Sequence, residues 1–337
     1  MTSQMHSQNI SNQRSVSITA DESIANERLD VVIFKFIEEL PSRSFASKLI
    51  EHGSVLCNNK MQKSSYRIKH GDVIFIDFAI LDSKSEPPVG EKIPLEILFE
   101  DEHLLVINKQ AGMVVHPGAG VYSGTLVNAV LSHCGQTLPS LGDGNRAGIV
   151  HRLDKDTSGI MVVAKSQIAL TKLSGQFASH EQERRYLALV YGMPLNKSGT
   201  LKTWHGRDPR NRLRYSAQIE GVGKIAQMNY SVQESFFNNL ASLVNCELYT
   251  GRTHQIRVQM TNLGHPLLGD QTYGTMPHSV FMQKEFASQI KKRAARQMLH
   301  ACHLAFVHPV TDTKQSFTCA PPTDFGELLS YLKTASP

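Results

Sequence analysis

The stretch RAGIVHRLDKDTSGIMVVAK, residues 146–165, decides how the rest of the chain is read. An apolar run, Gly148–Val150, enters a polar turn, His151–Gly159, and a second apolar run, Ile160–Ala164, leaves it. That is a strand–turn–strand pattern, and it gathers Asp154, Asp156, Arg152, Lys155 and a hydroxyl at one sheet end. Asp and Thr side chains that bond their own backbone would explain such a turn without any chemistry. A second polar cluster, GRTHQIR at 251–257, shifts the balance. With Thr253 at a helix start, His254 and Arg257 lie three apart and share a face. A helix N-terminus already favours anions, so arginines placed there suit the holding of a carboxylate or a phosphate.

Working outward, residues 1–22 are rich in Ser, Asn and Gln and are expected to form a flexible tail. Residues 23–80 read as a small module. Leu29, Val32, Ile33, Phe36, Ile37 and Leu40 recur at helical spacing before Pro41. A second helix follows, capped by Ser42, with Phe45, Ala46, Leu49 and Ile50 as its apolar stripe. Short strands at VLCNNK and DVIFIDF complete it. Residues 81–94 carry Pro87, Pro88, Gly90 and Pro94 and read as a linker. Over 95–330, strands and helices alternate too irregularly for a doubly wound parallel sheet. The expectation is an α+β fold, with a mostly antiparallel mixed sheet flanked by helices.

The 337 residues carry 35 Lys and Arg against 30 Asp and Glu, a net charge of +5, and 41% are hydrophobic. These values exclude a wholly disordered chain, a collagen-like repeat and a coiled-coil rod, and they permit a phosphate-rich partner. No apolar run reaches the roughly 18 residues of a membrane span, and the start lacks a secretory apolar core. The five cysteines are widely spaced without a C-x-x-C pair, so neither a disulfide framework nor a zinc knuckle is indicated. The chain reads as reduced, soluble and cytoplasmic. GAGVYSG and GDGNRAG are one residue too long for a dinucleotide fingerprint. HACH, residues 300–303, would split its ligands between two faces of a strand, which leaves no metal site. His151, Asp154 and Ser158 are too close in sequence for a hydrolase triad.

HRLDKDTSG, RRYLALVYG, GRTHQIRVQM with LGHPLLGD, and MLHACHLAFVHP resemble, in order, the signature segments of RluA-type pseudouridine synthases. RLD at 28–30 and SRSFASKLIEHGSVLCNNK resemble an S4 RNA-binding domain, and VVHPGAG leading to GTLVNAVL looks most like the RluD branch. The resemblance spans about residues 25–330. It implies a target in large-subunit ribosomal RNA, in the intersubunit stem-loop, and a monomer. Other rRNA or tRNA uridines, or a mainly non-catalytic assembly role, stay open as alternatives. It also implies that Asp154 is the catalytic aspartate, that Tyr186 stacks on the target base, and that Arg257 pairs with Asp154. Arg152 matches an arginine that fills the space left by the flipped base. Gln110, Gln259, Asp208 and Tyr215 depart from the usual residues of these segments.

Uridine isomerisation breaks the N1–C1′ bond, turns the uracil and rejoins it through C5. No group enters or leaves and nothing is oxidised, so no cofactor is called for. Asp154 would attack C1′ or remove the 2′ proton, and the Tyr186 hydroxyl is a candidate proton shuttle. RNA is held mainly through shape and phosphates. The basic residues expected to contact it are Arg43, Lys48, Lys60, Lys63, Arg67 and Lys69 in the small module. In the large one they are Arg207, Arg210, Arg212 and Arg214.

Overall fold

The stripe Leu29, Val32, Ile33 is fully or nearly fully buried in helix α1, Leu29–Phe36. It packs with Ala46, Leu49 and Ile50 of α2, Arg43–Glu51, against Val55, Cys57, Ile74 and Ile76. The last four lie on β2, Val55–Cys57, and β4, Val73–Asp77. In this computed structural model the chain divides into two units, Met1–Pro87 and Pro88–Pro337, each with its own core. The residues described are 15–334 without 38, 39, 41, 42, 52, 78–87, 119, 120, 136, 137, 141–145, 212 and 213. The side chains of residues 44 and 48 are also outside the description. Pro41, Ser42 and the first half of the expected linker, residues 81–87, therefore lie outside it.

One expectation is corrected in the first unit. The tail assigned to residues 1–22 contains a strand, β1, Ser15–Thr19, paired antiparallel with β4 so that Val16 faces Ile76 and Ile18 faces Ile74. Five alternating residues suffice for an edge strand, and the polar composition around them hid the alternation. Residues 1–14 lie outside the described part. The sheet runs β1–β4–β2–β3, with β3 at Lys60–Met61. Between the helices, buried Asp30 accepts from Arg28 and Arg43, each with Nη2 at 3.0 Å from Oδ2.

The second unit is built on one large sheet, ordered β10–β9–β11–β12–β8–β13–β7–β6–β5, with β14 paired to β13. In chain order the strands are β5 Glu96–Glu100, β6 Leu104–Lys109, β7 Ser158–Ala164, β8 Glu183–Tyr191 and β9 Ser198–Arg207. They continue with β10 Tyr215–Gln218, β11 Lys224–Phe236, β12 Ala241–Leu248, β13 Leu299–Val307 and β14 Lys314–Thr318. Neighbours are antiparallel except β13 and β7, which pair in parallel through His300–Ser158 and Ala301–Gly159. Helices cover both faces, among them α3, Leu126–Cys134, whose Leu126 and Val130 pack with Leu105 and Ile107. Leu105, Ile107, Met161 and Val163 pack with Ile256 and Met260 of α5, Gln255–Asn262. On the other face Leu104, Val106, Ile160 and Val162 pack with Leu170 and Leu173 of α4, Gln167–Ser179. Burial on both faces is why HLLVIN and GIMVVA are continuous rather than alternating apolar runs.

The expected strand Gly148–Val150 is a single bridge from Ile149 to Val163. Gly159 is required where β7 meets β13. Its φ is +120°, and a Cβ there would collide with the backbone carbonyl and amide of Ala301. No helix among the described residues is long and apolar enough to cross a membrane.

Candidate active site

The turn that carries Asp154 is held from below by its backbone. Lys109, 1% exposed, donates from Nζ to the carbonyls of Gln110, Met113 and Lys155 at 2.7, 2.9 and 3.1 Å. Arg296 Nη1 donates to the Asp156 carbonyl at 2.9 Å. His151 stacks on Phe177 with ring centroids 4.3 Å apart, and its Nε2 accepts the Val162 amide at 3.1 Å. Burial, then the Arg184 charge, push His151 down to about 3, so it stays neutral with its proton on Nδ1. It anchors the turn and does not act as a base.

Above this floor, Arg257 on the first turn of α5 places Nη1 at 3.1 Å from Asp154 Oδ2. The same guanidinium grips Asp270 in a fork, Nε to Oδ2 at 2.6 Å and Nη2 to Oδ1 at 2.9 Å. Burial alone would raise the pKa of Asp270, whose side chain is wholly enclosed, but Arg257 and the amides of Tyr273 and Thr272 hold it below the ordinary value. Arg257 is thereby fixed before it meets Asp154.

His254 approaches Asp154 from the other side, Nε2 to Oδ1 at 3.9 Å. The Tyr273 hydroxyl accepts the Tyr215 amide at 2.8 Å and lies 2.9 Å from His254 Nδ1. Donation from that hydroxyl to Nδ1 leaves the imidazole proton on Nε2, toward Asp154. Burial lowers the His254 pKa, which keeps the ring neutral. The expected helix start at Thr253 is corrected. Helix α5 begins at Gln255, and His254 precedes it in the left-handed conformation at φ 58°. This sharp entry turns the imidazole and Arg257 toward the same carboxylate.

Tyr186 lies on β8, 7% exposed, with its ring in the core beneath the site. Burial raises its pKa, so the hydroxyl keeps its proton. Asp154, Tyr186, Arg257 and Arg152 line one cavity of about 550 Å³. Arg152 is exposed and makes no hydrogen bond or ion pair among the described residues.

The other expected RNA contacts are dispersed. Lys60, Lys63, Arg67 and Lys69 are exposed on the first unit, where Arg67 also donates to the Asn26 carbonyl at 2.7 Å. Arg43 is committed to Asp30, so part of its charge is used inside the protein. Arg207 lies over the Tyr215 ring at 4.5 Å and Arg214 over Tyr273 at 4.9 Å; Arg210 is exposed. None of these lines the cavity. Arg212 and the Lys48 side chain lie outside the described residues.

The departures from the usual segments are absorbed locally. Gln259, 1% exposed, donates to Leu201, Thr203 and Ala226, tying α5 to β9 and β11. Tyr215 stacks on His205 with centroids 5.4 Å apart. Asp208 accepts the Arg210 amide at 2.8 Å, and Gln110 contributes its carbonyl to Lys109.

Asp270, Tyr273, Lys109 and Arg184 were not singled out from sequence. For Asp270 a signal existed, an acid behind Gly269 in LGHPLLGD, but its partner is 13 residues away. His300 of HACH bonds Ser158 Oγ at 3.0 Å and belongs to the packing. Glu100, His133 and Cys134 bring ligand atoms within 4.8 Å of one another. They do not line the cavity, and Glu100 already accepts from Lys165 and His133.

Comparison with known proteins gives a consistent picture. The family profile "RNA pseudouridylate synthase" matches residues 103–262, and the "S4 domain" profile matches residues 27–74. The chain is 42% identical over 319 residues to the "Ribosomal large subunit pseudouridine synthase D" of Zymomonas mobilis, covering 94% of this chain and 96% of that protein. The protein of the same name from Xylella fastidiosa is 40% identical, with 94% and 92% covered. An "Uncharacterized RNA pseudouridine synthase" of Chlorobaculum parvum is 42% identical, with 91% and 94% covered. Among solved structures, "Human RNA Pseudouridylate Synthase Domain Containing 4" superposes with a TM-score of 0.53 at 26% identity. That match covers 71% of this chain and 93% of the human one.

Proposed function

This chain belongs to the RNA pseudouridine synthase family, and from that premise we propose that it acts on uridines of large-subunit ribosomal RNA, with Asp154 as the reacting carboxylate. The observation that carries the reading is the Asp154–Arg257 ion pair inside a cavity that also presents Tyr186. The target follows from the names of relatives that match nearly end to end. The RluD-like segments narrow it to the intersubunit stem-loop, which implies a cytoplasmic enzyme working on the ribosome or its precursor.

The target nucleotide must leave its stack, at a cost of about a few kcal/mol. Tyr186 offsets part of this by stacking, about 1–3 kcal/mol per base, and unpaired Arg152 is free to enter the space vacated. Asp154, oriented by Arg257 and faced by the His254 Nε2 proton, acts at the sugar to release the N1–C1′ bond. The uracil turns within the cavity and C5 bonds to C1′. C5 then loses its proton and N1 gains one; the Tyr186 hydroxyl, which is itself protonated, relays it by giving up its own proton as it accepts the one from C5. Every group required is a side chain of this protein.

The test is Asp154→Asn assayed on ribosomal RNA from cells lacking the gene. Turnover should fall by at least about 10³-fold, as for removal of a reacting group. Retained turnover would remove Asp154 from the reaction. Mapping pseudouridines in total RNA with and without the gene identifies the target. Loss confined to transfer RNA would overturn the ribosomal assignment.

A further inference from the structure

Among the described residues, five arginines and a single carboxylate line the cavity: Arg146, Arg152, Arg184, Arg252 and Arg257 against Asp154. Arg257 is matched by Asp154 and Asp270. Uracil is neutral, so the remaining positive charge has no role toward the base. Arg184 stands apart even within this group. It lies on β8 two residues before Tyr186, on the same side of the strand and about 6.6 Å along it. It is 7% exposed, yet no carboxylate among the described residues pairs with it.

Among the described residues its one hydrogen bond is a long one, Nη2 to the Tyr249 carbonyl at 3.3 Å, and its buried Nε meets no acceptor. The guanidinium carbon lies 5.8 Å from the Phe177 ring centroid. Gly251 leaves room for it, since a Cβ there would sit 2.6 Å from Nη1. The comparably buried Arg296 shows the usual arrangement, with Asp324 at 2.6 Å. A guanidinium taken out of water without a counter-ion is costly, and its planar fork of donors matches a phosphate.

We propose that Arg184, seated against Gly251 and Phe177, is the binding site for a phosphodiester of the extruded nucleotide. This rests on the reading of the cavity as an RNA site. Extrusion swings the flanking phosphates with the base, and a residue one strand-repeat from Tyr186 is placed to receive one of them. The bound phosphate supplies the counter-ion that the protein omits.

The test measures RNA affinity as well as turnover, so that it does not depend on the chemistry. Arg184→Met should weaken binding of a large-subunit rRNA transcript by about 10- to 100-fold, the range of a charge-assisted hydrogen bond. The slope of log affinity against log salt should flatten by about 0.7–0.9, one phosphate contact. Arg184→Lys should retain most of that slope. The melting temperature of Arg184→Met should equal or exceed that of the wild type, because an unpaired buried charge has gone. In a synthetic stem-loop bearing the target uridine, a methylphosphonate at one of the two flanking positions should weaken wild-type binding and cost Arg184→Met nothing further.

An unchanged salt slope, or methylphosphonate losses equal in both proteins, would overturn the assignment. Should Arg184→Met fail to fold, the wild type decides alone, because no loss at either flanking position overturns it. Loss of turnover in Asp154→Asn with intact binding bears on the catalytic reading and leaves the subsite standing.

Discussion

Arg257 holds two carboxylates with different roles. Asp270 takes its fork and is fully enclosed, whereas Asp154 takes one Nη and remains 18% exposed to the cavity. Asp270→Asn therefore leaves a buried guanidinium short of its counter-charge. Breaking such a pair costs about 3–5 kcal/mol, which urea unfolding would read. Turnover should fall together with stability, and an unchanged melt would show that the pair does not fix Arg257. His151 gives a second prediction. Its pKa drops from an ordinary 6.5 to about 3 on folding, so its contribution is fully present above about pH 6.5 and is lost as pH falls toward 3. Between those values the unfolded chain binds the extra proton, giving a slope of up to about 1.4 kcal/mol per pH unit. His151→Gln, which keeps an acceptor for the Val162 amide, should flatten the acid limb of the stability–pH curve by that amount.

At the scale of elements, the site depends on a strand contact and a helix entry. The parallel approach of β7 to β13 sets the end of the Asp154 turn, and it leaves no space for a Cβ at residue 159. Gly159→Ala should lower stability by about 1–3 kcal/mol through overpacking, and turnover should fall because the turn is displaced. A crystal structure with residue 154 unmoved would contradict the second half of that expectation. Helix α5 is held differently. Gln259 spends its amide on three acceptors from β9 and β11, so Gln259→Leu strands buried carbonyls at a cost of about 1–3 kcal/mol. Thermal melts measure that cost directly.

At the scale of the whole molecule, the two units have separate cores, and the cavity is lined by the second unit alone. A chain of residues 88–337 should fold and retain turnover at saturating RNA. Its KM should rise, the outcome expected if the exposed basic residues of the first unit contact RNA phosphates. A fall in turnover at saturation, with the fold intact, would show that the first unit takes part in the chemistry.

The sequence by itself determined the antiparallel α+β class, the two-part organisation and the polar turn that carries Asp154, whereas the pairing of Asp154 with Arg257 came from the family resemblance. Apolar periodicity and polar residues clustered within a few positions are local signals, and they survive without coordinates. Only the tertiary structure decided what surrounds them. It placed Asp270 and Tyr273 behind Arg257, drew residues 15–19 into a sheet edge, turned His254 through a left-handed residue, and left Arg184 buried with no carboxylate partner among the described residues. Each of these depends on groups distant in the chain meeting at contact range, where shape, desolvation and counter-charge act and sequence spacing carries no record of them.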